Sequence, residues 1–233
     1  MTTTAVEPDL ARLEHHRRAM YVQGALTGAT GRRIDILPSG LTQDAGLVLR
    51  AMVECEKAKH TIEIGMAVGM STLFILEGLL AANPGETPQH TAVDPGQTKW
   101  WDNAAVLQLR QGGCEDCVEL IQEDSMTALP RMIGERRRFD WAFIDGSHFF
   151  ENVLIDIVCL SRLVKPGGLI VLDDLWMPAV YQAAAYAVTN LGLTPEPPAQ
   201  PSVRRRLLPL RRPLTDPIRA WDHFVPFTDW RNP

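Results

Sequence analysis

Short apolar runs alternate along this chain with longer segments in which apolar residues recur at helical spacing. The short runs occupy residues 60–64, 90–94, 117–124, 139–145 and 168–174, and the helical segments occupy residues 43–57, 71–82, 100–111, 126–134, 150–164 and 178–191. Short apolar runs between helices are typical of a parallel sheet that is covered on both faces. The pattern therefore predicts an α/β fold with such a sheet.

Acidic residues end four of these predicted strands. The strand-terminal residues are Asp94, Asp124, Asp145, Asp173 and Asp174. In an open α/β sheet, ligands bind outside the carboxyl ends of the strands. We therefore expect the functional site at this edge of the sheet.

A turn that contains glycine, EIGMAVGMST, follows the first predicted strand and opens a helix. Glycine permits tight turns and lets the backbone approach a ligand closely. Gly65 and Gly69 do not form a G-x-G-x-x-G motif and no G-K-[ST] follows them, which disfavours dinucleotides and nucleoside triphosphates. Asp94 ends the next strand, at a position where an acidic residue hydrogen-bonds ribose hydroxyls.

Composition excludes several classes of protein. The chain has 233 residues, of which 45% are hydrophobic and 22% charged, as in ordinary soluble proteins. A formal net charge of −5 argues against nucleic-acid binding. With no apolar run of about 18 residues and no secretory signal pattern, we expect no membrane partner.

The four cysteines are interpreted as reduced thiols, which favours a cytoplasmic protein. Cys114 and Cys117 form a C-x-x-C motif, but a structural zinc site would need two more ligands at similar spacing. We therefore assign this motif no metal or redox function.

The two ends of the chain depart from the alternating pattern. Residues 1–42 are expected to form an N-terminal helical extension that acts as a lid or a homodimer contact, and residues 43–233 the main domain. The arginine-rich segment 204–212 is expected to be a solvated loop, with a substrate or phosphate contact as the alternative. Residues 221–230 are expected to form a final strand.

The residues around the glycine turn resemble a known family. Glu63, Gly65 and Gly69, followed by Asp94 and by Glu123-Asp124-Ser125, are similar to the cofactor motifs of class I S-adenosylmethionine-dependent methyltransferases across residues 43–180. The resemblance implies a Rossmann-like fold with a seven-stranded, mostly parallel sheet. It also implies that the glycine turn contacts the methionine part of the cofactor, Asp94 the ribose, and Asp124 and Ser125 the adenine. The expected cofactor-binding residues are Glu63, Gly65, Gly69, Ser71, Asp94, Asp124, Ser125 and Asp145.

A second group of residues indicates chemistry at the ends of the next two strands. Asp145, Asp173 and Asp174 would lie close together, and their charges repel unless protons or a cation neutralise them. Mg²⁺ prefers oxygen ligands, and it would orient a substrate hydroxyl and lower its pKa. His148 follows Asp145 by three residues, and an ordinary histidine pKa of about 6.5 suits a general base.

This second group resembles metal-dependent small-molecule O-methyltransferases. The motif D-G-S-H followed by D-D is most similar to the sugar O-methyltransferases of macrolide antibiotic pathways, and catechol O-methyltransferase is more distant. The resemblance implies that Asp145, Asp173 and Asp174 bind Mg²⁺ and that His148 is the base. Asp173 stands where the sugar enzymes tend to have glutamate, and its shorter side chain could still reach a metal.

Several alternatives stay open at this stage. The expected activity is O-methylation of a small-molecule hydroxyl, on a natural product or a sugar, with Trp100, Trp101, Phe149, Phe150 and Trp176 as candidates for the acceptor pocket. One alternative is a metal-independent methyltransferase that acts on an amine or a carboxylate. Another is a non-catalytic cofactor-binding protein, since fold alone does not give function. Asp173 or Asp174 could instead cap the following helix, and Asp145 could contact the cofactor's amino group.

Overall fold

The computed structural model describes residues 8–37, 40–198, 200–204 and 206–214. Within these residues the helices are α1 (Leu10–Gln23), α2 (Gln43–Cys55), α3 (Met70–Ala82), α4 (Ala104–Gly112), α5 (Ser125–Gly134), α6 (Phe150–Leu163) and α7 (Pro178–Asn190). The strands are β1 (Ala25–Thr27), β2 (Arg33–Asp35), β3 (His60–Ile64), β4 (Gln89–Val93), β5 (Val118–Ile121), β6 (Phe139–Ile144), β7 (Val164–Leu172), β8 (Thr194–Pro195) and β9 (Leu208–Arg211).

Seven of these strands form one sheet in the order β5-β4-β3-β6-β7-β9-β8. The first five strands in this order are parallel, and β9 pairs antiparallel with both β7 and β8. The sheet confirms the predicted α/β fold with a seven-stranded, mostly parallel sheet. The strand order reverses at β3, because β4 lies on one side of it and β6 on the other. Ligands of open α/β sheets bind at such a reversal.

Helices cover both faces of the sheet. Neighbouring residues of a buried strand point to opposite faces, so each strand contributes side chains to two cores. Along β6, Trp141 and Phe143 pack into the core beneath α1, α2, α3 and α4. Ala142 and Ile144 pack into the core beneath α5, α6 and α7. Both faces of β6 are therefore buried, which explains its mostly apolar sequence, FDWAFI.

The N-terminal segment packs onto the first of these helical layers. Helix α1 begins at the N-cap Asp9 and ends at Gly24, which has a φ of 69°. Arg17 of α1 is buried and forms an ion pair of 2.5 Å with the fully buried Glu77 of α3. The division of the chain into residues 1–42 and 43–233 stays a prediction.

Strands β1 and β2 form an antiparallel hairpin within residues 1–42, which were predicted to form a helical extension. Three-residue strands are too short to show an alternating pattern, which is why the sequence did not indicate them. The turn of this hairpin contacts the segment after β4. The amide of Thr30 and its hydroxyl donate to the Asp102 carboxylate at 3.0 and 2.9 Å.

The prediction that the arginine-rich segment is a solvated loop is wrong. Residues 208–211 form β9, with Pro209 and Leu210 buried. Arg211 satisfies its charge through Glu56 and Glu196, at 2.6 Å each. The expected strand at residues 221–230 lies outside the described residues. Across the described ranges, no helix is both long and apolar enough to cross a membrane.

Candidate functional site

The strand register places acidic residues that were predicted to end strands in one row along the carboxyl edge of the sheet. Ile64 of β3 pairs with Val93 of β4 and with Ile144 of β6, and Ile144 pairs with Leu172 of β7. The residues that follow these four positions are Gly65, Asp94, Asp145 and Asp173. The backbone ladder continues through them, since the amides of Gly65, Asp145 and Asp173 each donate to the neighbouring strand at 2.8–2.9 Å.

The turn after β3 requires glycine at two positions. Gly65 has a φ of 90°, and a Cβ there would collide with the carbonyl oxygen of Asp145. Gly69 has a φ of 82° and is the N-cap of α3. Both positions lie in the left-handed region that favours glycine. The turn can therefore approach β6 closely and leave a cavity above it.

Two of the predicted cofactor-binding residues lie beneath this turn. The buried Glu63 carboxylate accepts a hydrogen bond from the Ser71 hydroxyl at 2.8 Å and another from Thr72. The buried His90 ring lies 3.1 Å from Glu63 and hydrogen-bonds Thr61. Glu63 and Ser71 thus join β3 to the start of α3, and their predicted contact with a cofactor stays a prediction.

Asp94 holds the turn from the side. One of its carboxylate oxygens accepts from the amides of Met66 and Ala67 at 3.1 and 2.7 Å, and the other accepts from the amide of Gly96 at 2.6 Å. The Gln97 side chain adds a hydrogen bond of 3.0 Å. Asp94 therefore fixes the glycine turn and also borders the cavity. Its predicted contact with a ribose stays a prediction.

A cavity of about 380 Å³ lies at the row of strand ends, where the strand order reverses. Gly65, Asp94, Asp124, Ser125 and Asp145 line it, together with Ala67, Trp100, Trp101, Gly146, Ser147, Phe149 and Asn152 among others. Asp124 is also the N-cap of α5, because its carboxylate accepts from the amide of Met126 at 2.9 Å. Five of the eight residues predicted to bind a cofactor thus line a single cavity.

A histidine and two carboxylates meet beside this cavity. His148 Nε2 lies 2.8 Å from the Asp174 carboxylate and 3.9 Å from the Asp145 carboxylate. One ligand atom of each of these three residues lies within 4.8 Å of the other two. The indole Nε1 of Trp176 donates to the other Asp174 oxygen at 2.9 Å. This bond was not predicted, and it orients Asp174 towards His148.

The environment shifts the pKa of each group in this cluster. Burial and the nearby carboxylates of Asp173 and Asp174 raise the pKa of Asp145 well above its ordinary value. The hydrogen bond to Asp174 raises the pKa of His148, and the same bond lowers the pKa of Asp174. Groups with strongly shifted pKa values in a cleft are typical of functional sites.

Asp173 is held by an arginine that sequence reasoning placed in a solvated loop. Arg206 Nε lies 2.7 and 2.9 Å from the two Asp173 oxygens, and Arg206 Nη2 lies 2.6 Å from one of them. The two residues are 33 positions apart, and no pattern in the sequence indicates their pairing. The carboxylate of Asp173 therefore carries a counter-charge supplied by the chain itself.

The donor set suits a divalent cation at Asp145, His148 and Asp174. Two carboxylates and an imidazole that converge within 4.8 Å are a common set for divalent ions, although Mg²⁺ prefers all-oxygen ligands. Asp173 completes the predicted ligand set only if Arg206 moves. The assignment of Asp145, Asp173 and Asp174 as metal ligands, and of His148 as base, stays a prediction.

Cys114 and Cys117 are both buried and both free. The only group of convergent metal-ligating side chains found among the described residues is the one at Asp145, His148 and Asp174. The geometry thus gives the C-x-x-C motif no metal partner within the part of the chain that is described.

Known proteins resemble this chain in sequence and in fold. Residues 62–175 match a family described as "Methyltransferase domain". The chain is 30% identical over 145 residues to the tapetum-specific methyltransferase 1 of Arabidopsis thaliana, covering 61% of this chain and 58% of that protein. It is also 30% identical over 141 residues to a caffeoyl-CoA O-methyltransferase of Stellaria longipes, covering 59% and 55% respectively. This chain thus spans just over half the length of these plant relatives.

Solved structures share the whole fold. An O-methyltransferase from Bacillus cereus in complex with SAH superimposes with a TM-score of 0.64 at 15% identity, covering 90% of this chain and 93% of that one. At this identity the likeness shows the fold alone. The matched family segment begins at Ile62, within β3, and ends at Leu175, so it contains the glycine turn and also Asp145, His148 and Asp174.

Proposed function

We propose that this chain is a class I S-adenosylmethionine-dependent methyltransferase and that it methylates a hydroxyl group of a small molecule. One observation carries the proposal. The turn after β6 contributes Asp145, Gly146, Ser147 and Phe149 to the wall of the cavity and His148 to the adjoining cluster. A cofactor in the cavity and a base that serves the acceptor would therefore lie side by side.

The cofactor supplies a methyl group on a positively charged sulfur. In the proposal, Gly65 and Gly69 shape the wall against its methionine part, and Asp94 accepts hydrogen bonds from its ribose. Asp124 and Ser125 border the adenine. Glu63 and Ser71 act from beneath by holding the turn to α3. Asp145 faces both the cavity and the cluster, so it contacts the cofactor and the acceptor site.

In its neutral form His148 takes the proton of the acceptor hydroxyl at Nδ1, because Nε2 donates its own hydrogen to the Asp174 carboxylate. Asp174 orients the ring, since its carboxylate is 2.8 Å from Nε2 before an acceptor arrives. A base positioned in this way contributes about 10²–10⁴ to the rate. When bound, a divalent cation held by Asp145 and Asp174, and by Asp173 once Arg206 moves aside, would stabilise the negative charge on the acceptor oxygen.

Metal-independent methyl transfer is the second candidate. The ion pair between Asp173 and Arg206 favours it, because one of the three expected carboxylates is already neutralised by the chain. Adding a chelator during turnover separates the two candidates.

The acceptor is proposed to be a natural product or a sugar. Trp100, Phe149 and Trp176 expose 56%, 71% and 66% of their surfaces near the site, and aromatic faces of this kind stack on planar or ring-shaped molecules. The named relatives include a flavonoid 3',5'-methyltransferase of Vitis vinifera. A homodimer and a cytoplasmic location complete the proposal.

The first test is calorimetric titration of S-adenosylhomocysteine into the wild-type protein and Asp94→Ala. We expect clear binding by the wild type and a loss of at least about tenfold in the variant. Asp116→Ala is the matched control, because Asp116 is exposed and lies away from the cavity. Absence of binding by folded wild-type protein would contradict the proposal. Turnover is then measured on a panel of hydroxyl acceptors with Mg²⁺ or with chelator.

A further inference from the structure

Three N–H donors hold the Asp173 carboxylate, namely Arg206 Nε, Arg206 Nη2 and the amide of Asp174. A carboxylate offers about four lone-pair sites. One oxygen accepts from Arg206 Nε at 2.7 Å and from the amide of Asp174 at 2.7 Å. The other accepts from Arg206 Nε at 2.9 Å and from Nη2 at 2.6 Å. A metal ion could bind Asp173 only by replacing the guanidinium.

Arg206 is built into the site. Its carbonyl accepts from the amide of Leu175 at 3.0 Å, and its own amide donates to the carbonyl of Val203 at 2.9 Å. These bonds tie the backbone of residue 206 to the loop that follows β7. The side chain retains 26% exposure, while that of Asp173 has none. The guanidinium therefore has a path to solvent although its backbone is fixed.

The positive charge of Arg206 also acts on the neighbouring carboxylates. Asp145 and Asp174 both lie within electrostatic reach of the guanidinium. It therefore opposes a second cation in the same cluster, since like charges repel strongly in partly buried surroundings. Three carboxylates, Arg206 and the His148 ring form a group that can approach neutrality without an added ion.

We propose that Arg206 is a built-in cation that competes with divalent metal ions for Asp173 and so weakens metal binding at this site. In the metal-free protein the guanidinium neutralises Asp173. Full coordination by Asp145, Asp173 and Asp174 requires the side chain of Arg206 to swing out. The inference rests on the proposed function only for where the metal ion would bind. The inference itself concerns the affinity of the protein for divalent ions in the absence of cofactor and acceptor.

The test is calorimetric titration of Mn²⁺ into cofactor-free protein. We expect Arg206→Met to bind Mn²⁺ at least about tenfold more tightly than the wild type, because removing the guanidinium frees a buried carboxylate. The double variant Asp173→Asn/Arg206→Met should lose this gain. Arg211→Met is the matched control, because Arg211 lies in the same segment and pairs with Glu56 and Glu196 away from the cluster.

A second measurement is made on the wild-type protein itself. The ¹⁵N resonance of Arg206 Nε, assigned with Arg206→Lys, should show slow hydrogen exchange without metal. Saturating Mg²⁺ should abolish that protection. Equal Mn²⁺ affinity in the wild type and Arg206→Met, or no binding by either, would overturn the proposal, and so would an Nε signal that Mg²⁺ leaves unchanged. Binding of S-adenosylhomocysteine, measured separately, shows whether the methyltransferase site itself is intact.

Discussion

His148 is the residue on which the proposed proton transfer depends. Its ring contacts Asp174 and borders the cavity wall formed by its neighbours in the sequence. The hydrogen bond to Asp174 would survive in a glutamine side chain, but proton transfer would not.

We therefore expect His148→Gln to lower kcat by about 10²–10⁴ while leaving the affinity for S-adenosylhomocysteine unchanged within about twofold. Steady-state kinetics and calorimetry on the same preparation measure the two quantities. His15→Gln is a suitable control, since His15 is exposed on α1. A full rate in His148→Gln would remove this residue from the mechanism.

Asp156 is a buried acid outside the proposed chemistry. It lies in α6 with no exposed surface, and burial raises its pKa to about 7. The folded state therefore keeps a proton that the unfolded state releases from about pH 4 upwards. Because the folded state binds the additional proton, stability falls as the pH rises between these two values and levels off above the higher one.

Asp156→Asn should remove this dependence. We expect the free energy of unfolding of the variant to exceed that of the wild type at about pH 8, by at most about 4 kcal/mol, with the difference vanishing near pH 4. Urea denaturation at a series of pH values measures it. Asp116→Asn, at an exposed position, should change nothing. Parallel pH profiles for Asp156→Asn and the wild type would contradict the burial argument.

At the scale of elements, the hairpin β1–β2 supports one wall of the cavity. Thr30 binds Asp102, the amide of Ala29 donates to the Asp102 carbonyl at 2.7 Å, and Arg32 donates to the carbonyl of Trp100. Trp100 and Trp101 line the cavity. The N-terminal segment thus contacts the residues that form one wall of the cavity, in addition to packing on the helices of one face of the sheet.

Thr30→Val removes one hydrogen bond to Asp102 and keeps the shape of the side chain. We expect a stability loss of about 1 kcal/mol and a several-fold weaker affinity for S-adenosylhomocysteine, because the segment that bears Trp100 is less firmly held. Thr27→Val, at an exposed position of the same hairpin, is the control. If the affinity is unchanged although the stability falls, the hairpin plays no part in shaping the cavity.

The elements also show which parts of the fold a sequence can predict. Strands β3, β4 and β6 are short, mostly buried runs that are followed directly by an acid or a glycine, so their positions and the edge they share follow from the pattern. Strand β9 has only two buried residues between arginines, so its charges resembled those of a loop. Arg206 could not be predicted either, because its partner is distant in sequence and the antiparallel return of the chain leaves no periodic signal.

For the whole molecule, the order of the sheet predicts where stability is greatest. β3 and β6 lie in the middle of the sheet with parallel neighbours on both sides, whereas β8 is a two-residue strand at one edge. Local opening is easiest where few buried contacts hold the backbone.

We expect the amides of β3 and β6 to exchange with deuterium only through global unfolding, and those of β8 and of the β1–β2 hairpin to exchange much faster. Native-state hydrogen exchange followed by mass spectrometry measures both. Fast exchange in β3 would contradict the observed strand order, since this strand has a hydrogen-bonded neighbour on each side.

The pairing of Asp173 with Arg206 has a consequence for the order in which the protein is made. During synthesis, the five parallel strands leave the ribosome before residue 206 does. A nascent chain that stops short of this residue would hold Asp145, Asp173 and Asp174 at one edge of the sheet without Arg206. Repulsion between the three carboxylates would then oppose their close packing. The segment that carries residue 206 and β9 would then complete the site, so that a translation product truncated before it would not carry a finished centre.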